Sequence, residues 1–386
     1  LKKVNPAWIF VTILLIAVVL RPPVAQIGPI LDQIQKQLRI GDSETALLAA
    51  IPVLCFGFGA FASPALVRRF GLNKTTVGLL GLIVASIAIR PYIGYFGMLV
   101  GTTVAGLAIA VANVLLPSIV RERFPKRVVP LTSAYTTILA ASASFAAAFS
   151  FPSAKAFGWQ LALELWALPA LLAFGFSFSL LSGDAKHETD GEQEHRGDFK
   201  LIGRSPIAWS IIGLFGIQSL GFYALLAWLP NLAIDSGMKP GDAGALLSLM
   251  TIVGVPVGLA LSSNFGRFKS LANMGALISM VTIAGLVLLS MHLWVPAVIV
   301  IGIGQASSFP LSLSLISTRA ANQRLTTMLS SVSQGVGYLL AAIGTFLFGW
   351  VAKQTNSWAV SIWGLIALTV VQVVAAWYAG RPKVIE

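Results

Sequence analysis

The chain has 386 residues, 56% of them hydrophobic and only 10% charged, where soluble domains carry about 25% charged residues, so a water-soluble fold of this size is excluded. A net charge of +12 would suggest nucleic acid in a soluble protein. Here the placement of the basic residues, counted below, points to a membrane, and no nucleic-acid partner is expected.

Apolar blocks of about 20 residues or more recur along the chain, each long enough to cross a ~30 Å hydrocarbon core as a helix. In chain order they predict spans at 8–35, 43–67, 72–92, 94–120, 128–154 and 158–181, then 205–233, 240–264, 270–290, 294–318, 323–352 and 356–379. Leu1-Lys2-Lys3 runs directly into span 1 without a small-residue cleavage site, so no cleavable signal peptide is expected. Between spans 6 and 7 the chain turns polar, with Asp184, Lys186, Glu188, Asp190, Glu192, Glu194 and Arg196. That segment has no apolar periodicity and reads as a solvated linker. The expected organisation is a six-helix half over 1–181, a linker over 182–203 and a second six-helix half over 204–386. Cys55 is the single cysteine, and His187, His195 and His292 are scattered. Neither a disulfide framework nor a paired-cysteine metal site is expected.

An even number of spans puts both termini on one side, and the excess of Lys and Arg marks the cytoplasmic side. Nineteen of the 26 basic residues fall on the terminal side. Lys36, Arg39, Arg90, Lys155, Lys239 and Lys353 fall on the other, and Arg21 lies within span 1. Both termini and the linker are therefore expected to be cytoplasmic, in a bacterial inner membrane.

The two halves repeat in order. Ala7-Trp8 and Pro29 in span 1 return as Ala208-Trp209 and Pro230 in span 7, at an offset of 201. Span 2 opens on Ala46-Leu47-Leu48 and ends at Phe70-Gly71-Leu72-Asn73-Lys74. Span 8 opens on Ala245-Leu246-Leu247 and ends at Phe265-Gly266-Arg267-Phe268-Lys269. Leu131-Thr132 in span 5 matches Leu325-Thr326 in span 11. Parallel six-helix repeats joined by a cytoplasmic linker describe an all-α membrane protein of the major facilitator architecture.

The Phe-Gly-x-x-Lys turns resemble that superfamily's loop between spans 2 and 3, with Arg68 standing where the usual motif carries an aspartate. Leu20-Arg21-Pro22-Pro23 with Gly28-Pro29, Trp228-Leu229-Pro230, Phe309-Pro310-Leu311 and Arg90 at the end of span 3 look like the cyanate porter family. The superfamily resemblance covers the whole chain, and the family resemblance rests on those short motifs. It implies transport of cyanate or, in other members, export of nitroimidazole-type compounds.

Arg21 is the central candidate. A guanidinium keeps its proton, and a charge at bilayer depth costs at least ~3 kcal/mol on insertion scales. It lies 13 residues past Trp8, about 20 Å along a helix. Pro22 and Pro23 cannot bond the carbonyls of Val18 and Val19, so the helix should break there. The acid able to pair with it is Glu164 in span 6, close to the outer surface; otherwise the ligand supplies the counter-charge. The repeat offset maps Arg21 onto Phe222, expected as the far wall of a shared cavity, with Gln218 four residues earlier on the same helical face. Asn113 and Gln305 are mid-span amides, followed by Pro117 and Pro310. Ser331, Gln334 and Tyr338 form one helical stripe, and Tyr135 shares a face with Thr132 and Thr136. Each of these polar groups could hold a small ligand or join helices. Arg90 is expected to snorkel to the headgroups, with an outer gate or vestibule charge as the functional alternative, a role Glu164 could share. The small residues at 140–148 and at Gly335, Gly337 and Gly344 read as packing surfaces.

No phosphate-cradling loop, His-Glu-x-x-His or Gly-x-Ser-x-Gly occurs in the chain, which argues against ATP-driven transport and intramembrane hydrolysis. The expected function is secondary active or facilitative transport of a small, cyanate-like monoanion by alternating access, with Arg21 as its counter-charge. An exporter of small polar organic compounds such as nitroimidazoles is the alternative within transport. A non-transporting receptor or scaffold is the alternative of another class. No enzyme activity, cofactor or metal is expected; the partners are a small anionic substrate and the lipid bilayer, and the chain is expected to be monomeric.

Overall fold

A computed structural model describes residues 6–183, 199–264 and 270–385. The linker residues from Asp184 to Asp198, the second Phe-Gly turn at 265–269 and Lys2 and Lys3 lie outside the described residues. Among the described residues, twelve helices are long and apolar enough to cross a membrane, from Pro6–Leu38 to Trp358–Ala379, and the sequence-derived spans coincide with them to within a few residues at most ends. Among the described residues the regular structure is helical apart from one isolated bridge between Ala320 and Ile385.

Local chemistry sets the helix ends. Ser205, Ser270, Asn322 and Ser357 each accept a backbone N–H of the first turn that follows, satisfying a donor that the helix itself leaves orphaned. Gly71 stands at φ 85° between helices Ser63–Phe70 and Leu72–Ile89. That left-handed position suits glycine because it lacks a Cβ, which is the physical content of the first Phe-Gly turn.

The chain clusters into two compact units, Leu1–Pro125 with Ile138–Arg196, and Lys126–Thr137 with Gly197–Glu386. In the first unit, span 2 packs on span 4, span 3 packs on spans 4 and 6, and the first helix of span 1 packs on span 6. Small residues bring spans 2 and 4 together: a Cβ on Gly106 would lie 2.9 Å from the Cys55 Cβ. A buried cluster of Ile27, Ile30, Ile34, Leu48, Met98 and Trp159 closes one end of the unit.

In the second unit, span 7 (Pro206–Asp235) packs along span 11 (Gln323–Thr355), and span 9 packs between spans 10 and 12. The glycines of span 11 form the expected packing surface. A Cβ on Gly337 would lie 2.4 Å from Phe215 Cδ1, and one on Gly344 2.3 Å from Leu220 Cγ, so the two helices approach as closely as their backbones allow.

Candidate functional site

Span 1 is broken where its prolines require. Helix Pro6–Val19 stops short of Arg21, and a four-residue turn, Pro22–Ala25, follows with Arg21 at its N-terminal cap position. The amides of Val24 and Ala25 both donate to the Arg21 carbonyl, at 3.1 and 3.0 Å. Pro22 and Pro23 are buried and Arg21 is half-buried. Its guanidinium stands 5.6 Å from the centroid of the Phe56 ring in span 2, within cation–π range, an interaction worth ~0.5–2 kcal/mol. A cation just past the C-terminal end of a helix is also favoured by the helix dipole.

Arg90 does not snorkel. It is 1% exposed, and its Nη2 donates to the Pro23 carbonyl at 2.8 Å while Nη1 donates to Thr102 Oγ1 at 3.3 Å. Burial is possible because span 4 presents Gly101 to it: a Cβ on Gly101 would lie 2.4 Å from the Arg90 Cβ. The side chain therefore enters the unit laterally, toward the break in span 1, although it ends its own helix.

Glu164 accepts a hydrogen bond from the Tyr92 hydroxyl at 2.5 Å, so a phenol of the turn that follows span 3 engages it. Just before it, the Leu163 carbonyl accepts from Gln26 Nε2 at 3.4 Å, and the Gln26 Oε1 is buried without a hydrogen-bond partner. Asn113 is buried within span 4, one turn before Pro117. A groove of about 430 Å³ on this unit is lined by Trp8, Leu171, Leu172, Gly175, Phe176 and Ser179 and touches none of these groups.

In the second unit the expected amides meet. Gln218 Nε2 donates to Gln305 Oε1 at 3.1 Å, and Ser219 Oγ donates to Gln218 Oε1 at 3.3 Å. Both glutamines are buried. Ser331, Gln334 and Tyr338 are also buried, and Gln334 Nε2 donates to Ser330 Oγ one turn back at 2.8 Å. Tyr135 belongs to the segment clustered with this unit; its ring is buried and its hydroxyl makes no hydrogen bond of normal geometry.

An aromatic series joins three helices of the second unit. Phe309 of span 10 contacts Phe215 of span 7 at 6.0 Å between centroids, and Phe215 meets Tyr338 of span 11 edge-on at 5.4 Å. Tyr338 in turn meets Tyr223 at 6.2 Å, and Tyr223 meets Phe222 at 5.5 Å. Phe222 and Tyr338 thus belong to one continuous series, of which sequence reasoning missed Phe215, Tyr223 and Phe309. It also missed Gln26, Thr102 and the Pro23 carbonyl. Gly101, a small residue of the kind that lets helices approach closely, is the signal that could have found the burial of Arg90.

Twelve membrane-crossing helices and a charged, proline-broken first span define a membrane transporter of small substrates. The chain belongs to the Major Facilitator Superfamily, whose family model matches residues 8–345. It is 33% identical over its full length to 96% of the uncharacterized transporter YycB of Bacillus subtilis. It is 32% identical to the 2-nitroimidazole transporter of Escherichia coli, over 97% of this chain and 95% of that one. Identity to the cyanate transport protein CynX of Escherichia coli is 26%, over 93% of each. Among solved structures, the fold is similar to that of the transporter FucP in its outward conformation, with a TM-score of 0.78 at 14% identity, over 97% of this chain and 100% of that one.

Proposed function

We propose that this transporter carries a small monoanion of the cyanate type across the bacterial inner membrane by alternating access, with Arg21 as the substrate's counter-charge. The observation that carries the reading is a half-buried guanidinium at a proline-made break in the middle of span 1. A charge at that depth is costly, and one guanidinium balances one negative charge, which favours a monoanion over a dianion. The likeness to a cyanate transport protein supports the same choice. Asn113, Tyr135, Gln218, Phe222, Gln305, Gln334 and Tyr338 are proposed as further substrate contacts during the transport cycle. Glu164 is proposed to act at the entrance, whereas Arg90, enclosed by protein, is too buried to serve as a vestibule charge. The excess of Lys and Arg on the terminal side supports cytoplasmic termini, and the working unit is proposed to be one chain.

Export of planar nitroaromatic compounds is a second reading. The higher identity to a 2-nitroimidazole transporter favours it, and so does the Phe309–Phe215–Tyr338–Tyr223–Phe222 series, since aromatic rings pack well on planar ligands. Uptake into liposomes from a panel of cyanate, other small monoanions, dianions and 2-nitroimidazole separates the two. The reading requires uptake of cyanate, a KM for cyanate raised about tenfold or more in Arg21→Gln with uptake still measurable, and no uptake of dianions. Full activity of Arg21→Gln on every substrate of the panel would overturn it.

A further inference from the structure

The buried arginine of span 3 has a place in the same machinery. Arg90 is enclosed by protein, and its Nε is buried without a hydrogen-bond partner. No ion pair to it forms among the described residues. A buried guanidinium balanced by neutral oxygens alone is expensive, so its two hydrogen bonds need a purpose that offsets the cost. One acceptor, Thr102 Oγ1, lies beside Gly101 on the helix against which the Arg90 stem packs. The other is the carbonyl of Pro23, inside the turn that opens at Arg21. The amides of Val24 and Ala25 close that turn onto the Arg21 carbonyl, so a displacement of Pro23 moves the backbone that carries the Arg21 side chain. Two successive prolines leave the segment without the amide bonds that would otherwise hold it in register. A charge-assisted bond from span 3 substitutes for them, and such bonds are roughly twice as strong as neutral ones.

We propose that Arg90 is a positioning residue for substrate binding: its bond to the Pro23 oxygen holds the broken turn of span 1 and thereby sets where the Arg21 guanidinium stands. The proposal rests on the reading of Arg21 as substrate counter-charge.

The test is a double-mutant cycle on radiolabelled cyanate uptake by the full chain in liposomes. Arg90→Gln is expected to raise KM about fivefold or more while kcat stays within about twofold, the mark of lost binding rather than lost cycling. Arg90→Lys, whose ammonium still reaches a carbonyl, is expected to recover most of the KM. Because the effect passes through Arg21, the double variant Arg21→Gln/Arg90→Gln should match Arg21→Gln within about twofold. A structural role alone would not produce that coincidence. A KM for Arg90→Gln at the parental value, beside an impaired Arg21→Gln, overturns the positioning role only. Multiplicative effects in the double variant overturn it as well. Parental uptake by Arg21→Gln overturns the counter-charge reading itself. Where Arg90→Gln does not yield folded protein, Gly101→Ala carries the test, since it keeps the charge and displaces its stem. A rise in KM of about threefold is then expected from the overpacked contact, and a parental KM overturns the proposal.

Discussion

The guanidinium of Arg90 donates to the carbonyl oxygen of Pro23 at 2.8 Å, across 67 residues of chain. The bond ties the end of span 3 to the break in span 1, so two arginines meet one irregular segment from different helices. Arg21 opens the turn, and Arg90 holds its third residue. Irregular backbone at membrane depth persists only where protein groups or water satisfy it, and here a protein charge does so directly.

The contact of spans 7 and 11 predicts a packing asymmetry among glycines. Gly337→Ala places a methyl 2.4 Å from the Phe215 ring, whereas Gly364 has no heavy atom within 4 Å of its would-be Cβ. Gly337→Ala should destabilise the protein by about 1–3 kcal/mol through overpacking, and Gly364→Ala should be neutral. Thermal unfolding in detergent measures both; equal transition temperatures for the two variants would contradict the packing described.

The pair Gln218–Gln305 joins spans 7 and 10. Gln218→Leu leaves the buried Gln305 oxygen without its donor, at a cost of about 1–2 kcal/mol. Gln218→Leu/Gln305→Leu removes both partners and should be destabilised by less than the sum of the two single changes. Additive losses, read by the same unfolding assay, would mean that the two amides do not hold one another.

Much of this architecture was legible in the chain. Span lengths follow from apolar runs and bilayer thickness, and the break after Val19 follows from Pro22 and Pro23, because a missing N–H is a property of the residue itself. The place of Arg90 was not legible in the same way. Counting along a helix gives its depth but not its lateral direction, and that direction is set by Gly101 of a neighbouring span. The series from Phe309 to Phe222 was hidden for the same reason, since its members come from three helices. Gln218 and Gln305 could each be marked as costly amides, but their mutual bond spans 87 residues.

Glu164 supplies a prediction about coupling. It is a carboxylate within a membrane span, accepting from Tyr92, and intramembrane carboxylates commonly carry coupling protons. Glu164→Gln should retain exchange of internal for external substrate and lose accumulation driven by a proton gradient. Accumulation at the parental level in that variant would remove Glu164 from any coupling role.

The central claim is that Arg21 supplies the charge that binds the substrate. Thermal unfolding of the purified protein with and without saturating cyanate, for the parent and for Arg21→Gln, tests it without requiring that the direction of transport be known. A ligand that binds the folded state raises the unfolding temperature. The account predicts a rise of about 2 °C or more in the parent and none in Arg21→Gln. Equal stabilisation of both proteins by cyanate would contradict it.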